Sequence, residues 1–440
     1  MNGRQPTLGD VLAAVDVQRS GRDMYALVKE LYPLCRSITG DGVRETLRRV
    51  AAHADIKMHE VPSGTAVFDW TVPREWNIRD AYVKNSRGDR VIDFKASSLH
   101  VVSYSAPVKA HLSLSELRQR VFTLPDRPDW VPYRTSYYRE TWGFCAADRV
   151  MQGLEDGEYE VCIDSSLAPG SLSYGECYIP GATDDEVLVS CHVCHPSLAN
   201  DNLSGIAVAA FLAGLLSKAS LRYSYRLLFI PGTIGSITWL ATNEATVARI
   251  KHGLVLACVG DGGGPTYKKS RRGNAEIDRA VGLTLATHGG GSRIEDFTPY
   301  GYDERQFCSP GFDLPVGCLM RTPHGRFPEY HTSGDNLDLV RPEALADSLG
   351  ICLAVFDALE SNRVYVNQSP KGEPQLGKRG LYGSVGGLAG VRDEMTMLWV
   401  LNLSDGRHSL LDIAERSGCS FAAVKAAARA LEAAELLKEA

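Results

Sequence analysis

The chain has 440 residues, 44% of them apolar and 23% charged, with a formal net charge of −6. Such a length accommodates two or three domains with ample room for a core, and the acidic balance argues against a nucleic-acid or anionic-membrane footprint. Met1-Asn-Gly-Arg-Gln-Pro6 lacks the apolar core of a signal peptide, no run approaches membrane-spanning length, and eleven scattered cysteines fit reduced thiols, so a cytoplasmic α/β protein is expected.

Residues 1–20 read as a short lead-in helix. Apolar spacing predicts helices over Asp23–Leu34 and Val43–Ala52, separated by a turn at Gly40-Asp-Gly42, and alternation predicts a strand over Ile56–Val61. From about Phe68 the texture changes to Trp, Pro and short β-like pieces (Ala81–Val83, Val91–Asp93, Leu99–Val102), interrupted by a helical stretch at Leu112–Val121. Residues 67–158 therefore read as a small β-rich domain inserted into a larger one. Its aromatics, Trp70, Trp76, Trp130, Tyr137, Tyr138 and Trp142, are candidates either for the wall of a cleft or for an interface core.

Strands follow at Tyr159–Asp164, Val187–His192, Tyr225–Ile230 and Gly253–Val259. Alternating with helices, they argue for a mostly parallel sheet with helices on both faces. The glycine loops Gly260–Gly264 and Gly289–Gly291 lack the order of a phosphate-binding motif. The second of the four strands is the most informative: Val187-Leu-Val-Ser-Cys-His192 runs into Val-Cys194-His195-Pro and then Asn200-Asp201-Asn-Leu-Ser204-Gly205. The polar turn is expected to cap a helix over Ile206–Ser217. His192 and Asp201 flank the turn, so both could reach one ion, at the strand end where open α/β sheets place ligands. Cys191-His-Val-Cys194-His195 also spells the haem-attachment pattern, but no signal peptide precedes it; a zinc ribbon lacks its second Cys pair; and histidines merely satisfied in a buried strand would leave the polar turn unexplained.

Residues 364–390 are rich in Gly, Pro and Ser and read as a linker or surface arm. Beyond it Glu394–Leu401, Leu410–Ser417 and Phe421–Ala433 form three helices with helix-turn-helix spacing at Ser417-Gly-Cys-Ser420. The second helix of that motif offers only Lys425 and Arg429 among alanines, too little charge for a DNA reader. A protein partner or self-association through this module is expected instead, with no membrane role.

Leu31-Tyr-Pro-Leu-Cys-Arg-Ser-Ile-Thr-Gly40, Phe68-Asp-Trp-Thr-Val-Pro73, His192-Val-Cys-His-Pro196, Asp303-Glu-Arg305, Glu329-Tyr-His-Thr332 and Ser369-Pro-Lys-Gly372 together resemble bacterial aminopeptidase-like proteins of unknown function. These are relatives of the zinc aminopeptidases and glutaminyl cyclases, with an inserted domain and a C-terminal winged helix. The resemblance covers nearly the whole chain. It implies an aminopeptidase-like domain over 1–66 and 159–375, the insert at 67–158 and a winged-helix-like domain at 376–440. It further implies a metal held by His192, Asp201, Asp261 and His331, a donor set suited to Zn²⁺.

Two departures from the family pattern matter. Cys194 stands where relatives hold an Asp that orients the ligand His, and Gly232-Thr233 stands where they hold Glu-Glu, one a general base and one a ligand. One zinc is therefore favoured over two. Glu329 is the first candidate for a replacement base, followed by Asp303 and Glu304; Tyr302 and Arg305 are candidates to hold the substrate. The expected activity is hydrolysis of an amide in a small aminoacyl, acyl-amino or peptide-like compound. The alternatives are single-zinc cyclisation or acyl transfer, and a non-catalytic metal- or metabolite-binding protein.

Overall fold

Four short strands, apolar on both faces, sit side by side and parallel in the order Ser224–Ile230, Glu186–His192, Ile250–Leu256, Val316–Met320. They show no in–out alternation because both faces are covered. Val187, Val189 and Cys191 face one apolar layer, which includes the helices Val17–Leu31, Gly205–Leu216 and Pro342–Ser361; Leu188, Leu228 and Ile230 face the other, which holds the helix Ile234–Thr242 and the core of the insert. On one side the sheet continues antiparallel through Ser171–Ile179 to Lys57–Pro62. On the other, Thr266–Lys268 runs antiparallel to Val316–Met320 and carries Arg293–Glu295 at the edge. The result is an eight-stranded mixed sheet whose parallel centre gathers the loops after His192, Ile230, Leu256 and Met320 at one edge.

This computed structural model describes residues 5–289, 291–381 and 388–440, with side chains in the last segment from Glu394 onward. Residues 1–4 of the expected lead-in, Gly290 of the second glycine loop and 382–387 of the expected arm lie outside the described residues. The lead-in is a short helix, Leu8–Ala14, followed by the longer Val17–Leu31. Only the stretch Ala199–Leu216 among the described residues is long and apolar enough to cross a membrane, and 83% of it is buried in the domain core.

The insert is built on a four-stranded antiparallel sheet in the order Arg90–Asp93, Glu75–Lys84, Glu158–Ala168, Val108–Ser113. Two expectations are corrected here. The strand expected over Tyr159–Asp164 in the large sheet runs Glu158–Ala168 and pairs inside the insert, where Val161 and Ile163 pack among its core residues. Of the helix expected over Leu112–Val121 only Leu114–Arg118 is helical, started by a capping box between Ser113 and Glu116, while Leu112 and Ser113 end the strand before it.

The expected arm begins instead with a strand, Val364–Asn367, flanked by Asp405–Ser409 and Leu437–Glu439 in a three-stranded sheet. With the helices Leu388–Leu403, Leu410–Ser417 and Phe421–Ala433 this makes a winged helix. Gly418, in the left-handed region at φ 68°, ends the middle helix and makes the turn. Lys425 points inward: its Nζ lies 2.6 Å from both carboxylate oxygens of Asp357, on the core helix Pro342–Ser361. Arg279 ties the middle helix down through Asp412 and Glu415. The outward face of Phe421–Ala433 therefore shows Ala422, Ala426, Arg429 and Glu432.

Candidate metal centre

His192 closes its strand and points its Nε2 at Asp201 Oδ1, 2.8 Å away. Asp201 stands in the polar turn, whose side chains do not cap the following helix as expected. They stitch the turn to the end of the neighbouring strand instead. Asn202 Oδ1 accepts from Cys258 N, Ser204 Oγ from Val259 N and Asn200 Oδ1 from Gly260 N. Asp335 completes the frame by accepting the backbone N–H groups of Asn200 and Asp201 at 2.6 and 2.9 Å; burial pushes its carboxyl up to about 8. Each polar group of this buried turn is thereby satisfied by a specific partner, and the turn has one conformation available.

His331 arrives from the far end of the domain, its Nε2 3.0 Å from Asp201 Oδ2. Its backbone is in the left-handed region, φ 56°, a costly place for a non-glycine residue. The insert holds it there. Tyr133 N donates to His331 O, and Val131 and Ser333 exchange two bonds, Val131 N to Ser333 Oγ and Ser333 N to Val131 O. Tyr330 stacks on the His331 ring, centroids 3.9 Å apart.

A fourth donor was not foreseen. His195 Nε2 lies 3.8 Å from Asp201 Oδ2, and the coordinating atoms of His192, His195 and Asp201 all fall within 4.8 Å of one another. Its position is fixed by Arg36, fully buried in the Leu31–Gly40 motif, whose Nε donates to His195 O at 2.9 Å. Cys194 Sγ sits 3.4 Å from His195 Nδ1, and burial pushes the thiol up to about 12. A neutral thiol that accepts from Nδ1–H leaves the lone pair on Nε2, the atom facing Asp201. The signal available in the sequence was the spacing His192-x-x-His195, obscured by the neighbouring cysteines.

Asp201 is 0% exposed. Burial opposes its ionisation, yet hydrogen bonds with His192 and His331 hold the carboxyl well below the usual range. Burial in turn drives the His195 imidazole down to about 3, so it is a neutral donor rather than a counter-charge. A buried carboxylate ringed by imidazoles has the donor set that could hold a cation. Two donors each ~2.1 Å from one ion lie roughly 3–4 Å apart. His195 at 3.8 Å from Asp201 meets that spacing, His192 and His331 at 2.8 and 3.0 Å lie just under or at its lower edge, and His192, His195 and Asp201 form the group that could hold one ion.

Asp261 stands apart from this group. Its Oδ1 accepts from Gly263 N and Thr322 Oγ1, and its Oδ2 from Asn200 Nδ2 and Thr322 N. Four donors fill the capacity of a carboxylate, so the expected ligand role is corrected to one of fastening the polar turn. Glu304 is fully buried in an ion pair with Lys268, which removes it from consideration as a base. Glu329 is half-buried and does not line the cavity described next.

Above the imidazoles lies a cavity of about 410 Å³ walled by Trp70, Tyr137, Tyr138, Tyr300, Tyr302 and Tyr330. Of the insert's candidate aromatics three therefore reach the cleft, while Trp76 is buried with its Nε1 donating to Ser105 O. Tyr302 stacks on His192 at 5.3 Å, its hydroxyl bonded to Cys258 Sγ at 3.0 Å. Asp303 also lines the cavity. Thr233 N and Ser236 Oγ both donate to its Oδ1, leaving Oδ2 for another proton, and burial raises its pKa. Gly232 faces the centre: a Cβ there would sit 3.5 Å from Cys194 Sγ and 3.6 Å from His192 Cβ, in ordinary contact.

A parallel-centred sheet delivering His and Asp from its strand-end loops is an aminopeptidase-like fold. The zinc aminopeptidase BSAP of Bacillus subtilis superposes with a TM-score of 0.56 over 76% of this chain and 94% of its own, at 13% identity, a likeness of fold alone. The chain itself belongs to the family described as a domain of unknown function, DUF4910, which matches residues 25–362; a winged helix-turn-helix model matches 363–439. A Clostridium acetobutylicum protein, provisionally named a polysaccharide biosynthesis protein with aminopeptidase-like domain, is 53% identical over 95% of this chain and 96% of its own. A crystal structure from that organism, provisionally described as a peptidase, superposes with a TM-score of 0.93 at 52% identity, covering 97% of this chain and 98% of its own.

Proposed function

We propose that this chain is a single-zinc amide hydrolase acting on a small aminoacyl or acyl-amino compound. The observation that carries the reading is the convergence of His192, His195 and His331 on the buried Asp201 at the floor of the cavity. A single ion is supported because Asp261 is already saturated and Gly232-Thr233 supplies no carboxylate. Zinc at such a site supplies Lewis acidity toward a carbonyl oxygen and toward water.

The chain's own residues supply the rest. Asp303 replaces Glu329 as the first candidate base: it lines the cavity, has one oxygen without a protein donor, and burial raises its pKa above the usual carboxylate value. It takes a proton from the attacking water and returns it to the amide nitrogen as the C–N bond breaks, giving an acid and an amine. Tyr302 and Arg305 line the same cavity and hold the substrate. The Clostridium relative's name supports a biosynthetic substrate, with the amide carried on a sugar or sugar-linked metabolite.

The test is zinc content per chain by elemental analysis, on wild type, His195→Ala and His331→Ala, followed by screening of aminoacyl and acyl amides for turnover. About one zinc, lost in both variants, with turnover that disappears alongside it, is expected. Two zincs, or none after growth with added zinc, would overturn the single-metal hydrolase.

A further inference from the structure

Arg305 is the one Lys or Arg among the described residues that line the cavity. Among the described residues no carboxylate lies within ion-pair distance of its guanidinium. Its only hydrogen bond runs from Nη2 to Thr233 Oγ1 at 3.3 Å, and its Nε is buried with no partner at all. A buried N–H without an acceptor costs ~1–3 kcal/mol, and such groups persist where a ligand supplies what the protein withholds.

Position gives the group its meaning. Thr233, which receives Arg305, follows Gly232, and Gly232 abuts His192 at the metal centre. Two residues before Arg305, Asp303 is held by Thr233 N. The guanidinium thus stands a residue or two away from the groups proposed to act on the amide. Conversely, Asp201 lies behind the imidazoles with both oxygens engaged, so its charge is withheld from an ammonium in the cavity.

We infer that the cavity selects a substrate bearing a carboxylate beside the scissile amide, held by Arg305, rather than one with a free α-amino group. An N-acyl amino acid or an N-acylated acidic sugar has that chemistry. The inference rests on the reading above that this cavity is the reaction site. Planar guanidinium suits a planar carboxylate in a two-pronged pair, with Nε and one Nη as the donors. Tyr300, whose ring lies 6.0 Å from the Arg305 guanidinium, is 70% exposed at the mouth and walls the approach.

The experiment is calorimetric titration of the full-length, zinc-loaded protein with N-acetyl-L-phenylalanine, its amide N-acetyl-L-phenylalaninamide, L-phenylalaninamide and N-acetylglucosamine 1-phosphate. Wild type, Arg305→Met and Arg305→Lys are compared, with melting curves to establish that each is folded. Wild type is expected to bind the free carboxylate about 10- to 100-fold more tightly than the neutral amide, the range for a lost charge-assisted pair. That preference should vanish in Arg305→Met and shrink in Arg305→Lys. Equal binding of acid and amide, preference for the free amine, a preference that survives Arg305→Met, or binding of none of the four overturns the inference. Tighter binding of the sugar phosphate overturns the carboxylate in favour of a phosphate. Turnover assays of the zinc-loaded protein beside the titration of chelator-treated protein separate the two readings: a carboxylate preference that persists without zinc, in a protein that hydrolyses no amide when zinc-loaded, leaves this inference standing while the hydrolase falls.

Discussion

Replacing Lys425 with methionine removes one half of a pair that is largely withdrawn from water: the two side chains are 10% and 17% exposed, with both N–O distances 2.6 Å. Gly9 of the first helix roofs it, close enough that a Cβ there would lie 3.0 Å from Asp357 Oδ1 and 3.1 Å from Lys425 Nζ. Breaking a fully buried pair costs ~3–5 kcal/mol because the surviving charge is stranded. The residual exposure of Asp357 lowers that to about 2–3 kcal/mol for opening of the helix Phe421–Ala433, or about 30- to 150-fold in an opening equilibrium. Native-state hydrogen exchange of the amides of that helix, followed by mass spectrometry, reads this directly. Lys425→Met should accelerate exchange by that factor, and the double variant Asp357→Leu/Lys425→Met should recover most of it, since an apolar pair carries no stranded charge. Exchange within twofold of wild type in the single variant, or a double variant no better than the single, would refute the view that this lysine docks the winged helix.

Asp303→Asn keeps the acceptor for Thr233 N and Ser236 Oγ but loses the base. Turnover of any amide the wild type hydrolyses should fall ~10²–10⁴-fold with zinc content unchanged, whereas loss of the metal would make Asp303 a structural residue instead. Gly232→Glu adds a carboxylate where the backbone leaves ordinary contact distance to His192 and Cys194. It should rescue Asp303→Asn at least tenfold, and a folded, zinc-loaded double variant with no gain would dismiss that position as a route to the site. Hydrogen bonds from Arg44 hold the Glu75 carboxyl down at about 2, so its contribution to stability is complete above the unfolded value of 4.5 and is lost as pH falls through about 2. Denaturant titrations of Glu75→Gln should therefore show a shallower loss of stability than wild type between pH 4.5 and 2; parallel curves would assign the acid sensitivity elsewhere.

Much of this was legible before any coordinates. The strand ending at His192 and the polar turn to Asp201 announce themselves by a break in pattern, apolar run to metal-capable residues, and such breaks survive tertiary context. The winged helix is readable for the same local reason, through Ser417-Gly418 and the apolar spacing on either side. What failed depends on partners far away in sequence. Asp261 carries the right side chain at a strand end, but only the fold reveals that Asn200 and Thr322 have already filled it. Val364–Asn367 is strand-like in itself but abuts the Gly/Pro/Ser-rich stretch, and it forms a strand because Asp405–Ser409 and Leu437–Glu439 close on it. His195 is masked in the sequence by the cysteines around it, and the Arg36 that aims it lies 159 residues earlier.

The stapling of the His331 loop by Val131 and Tyr133 of the insert gives the molecule a built-in order of assembly. A growing or partly folded chain offers eleven cysteines and eleven histidines to any stray ion, each able to hold it in the wrong place. His192, His195 and Asp201 come from one short stretch, but His331 joins them only once the two lobes have met, after which most of those thiols are sealed in the interior. An ion held by all four donors would latch two distant parts of the chain, and it would do so only in molecules that have finished folding.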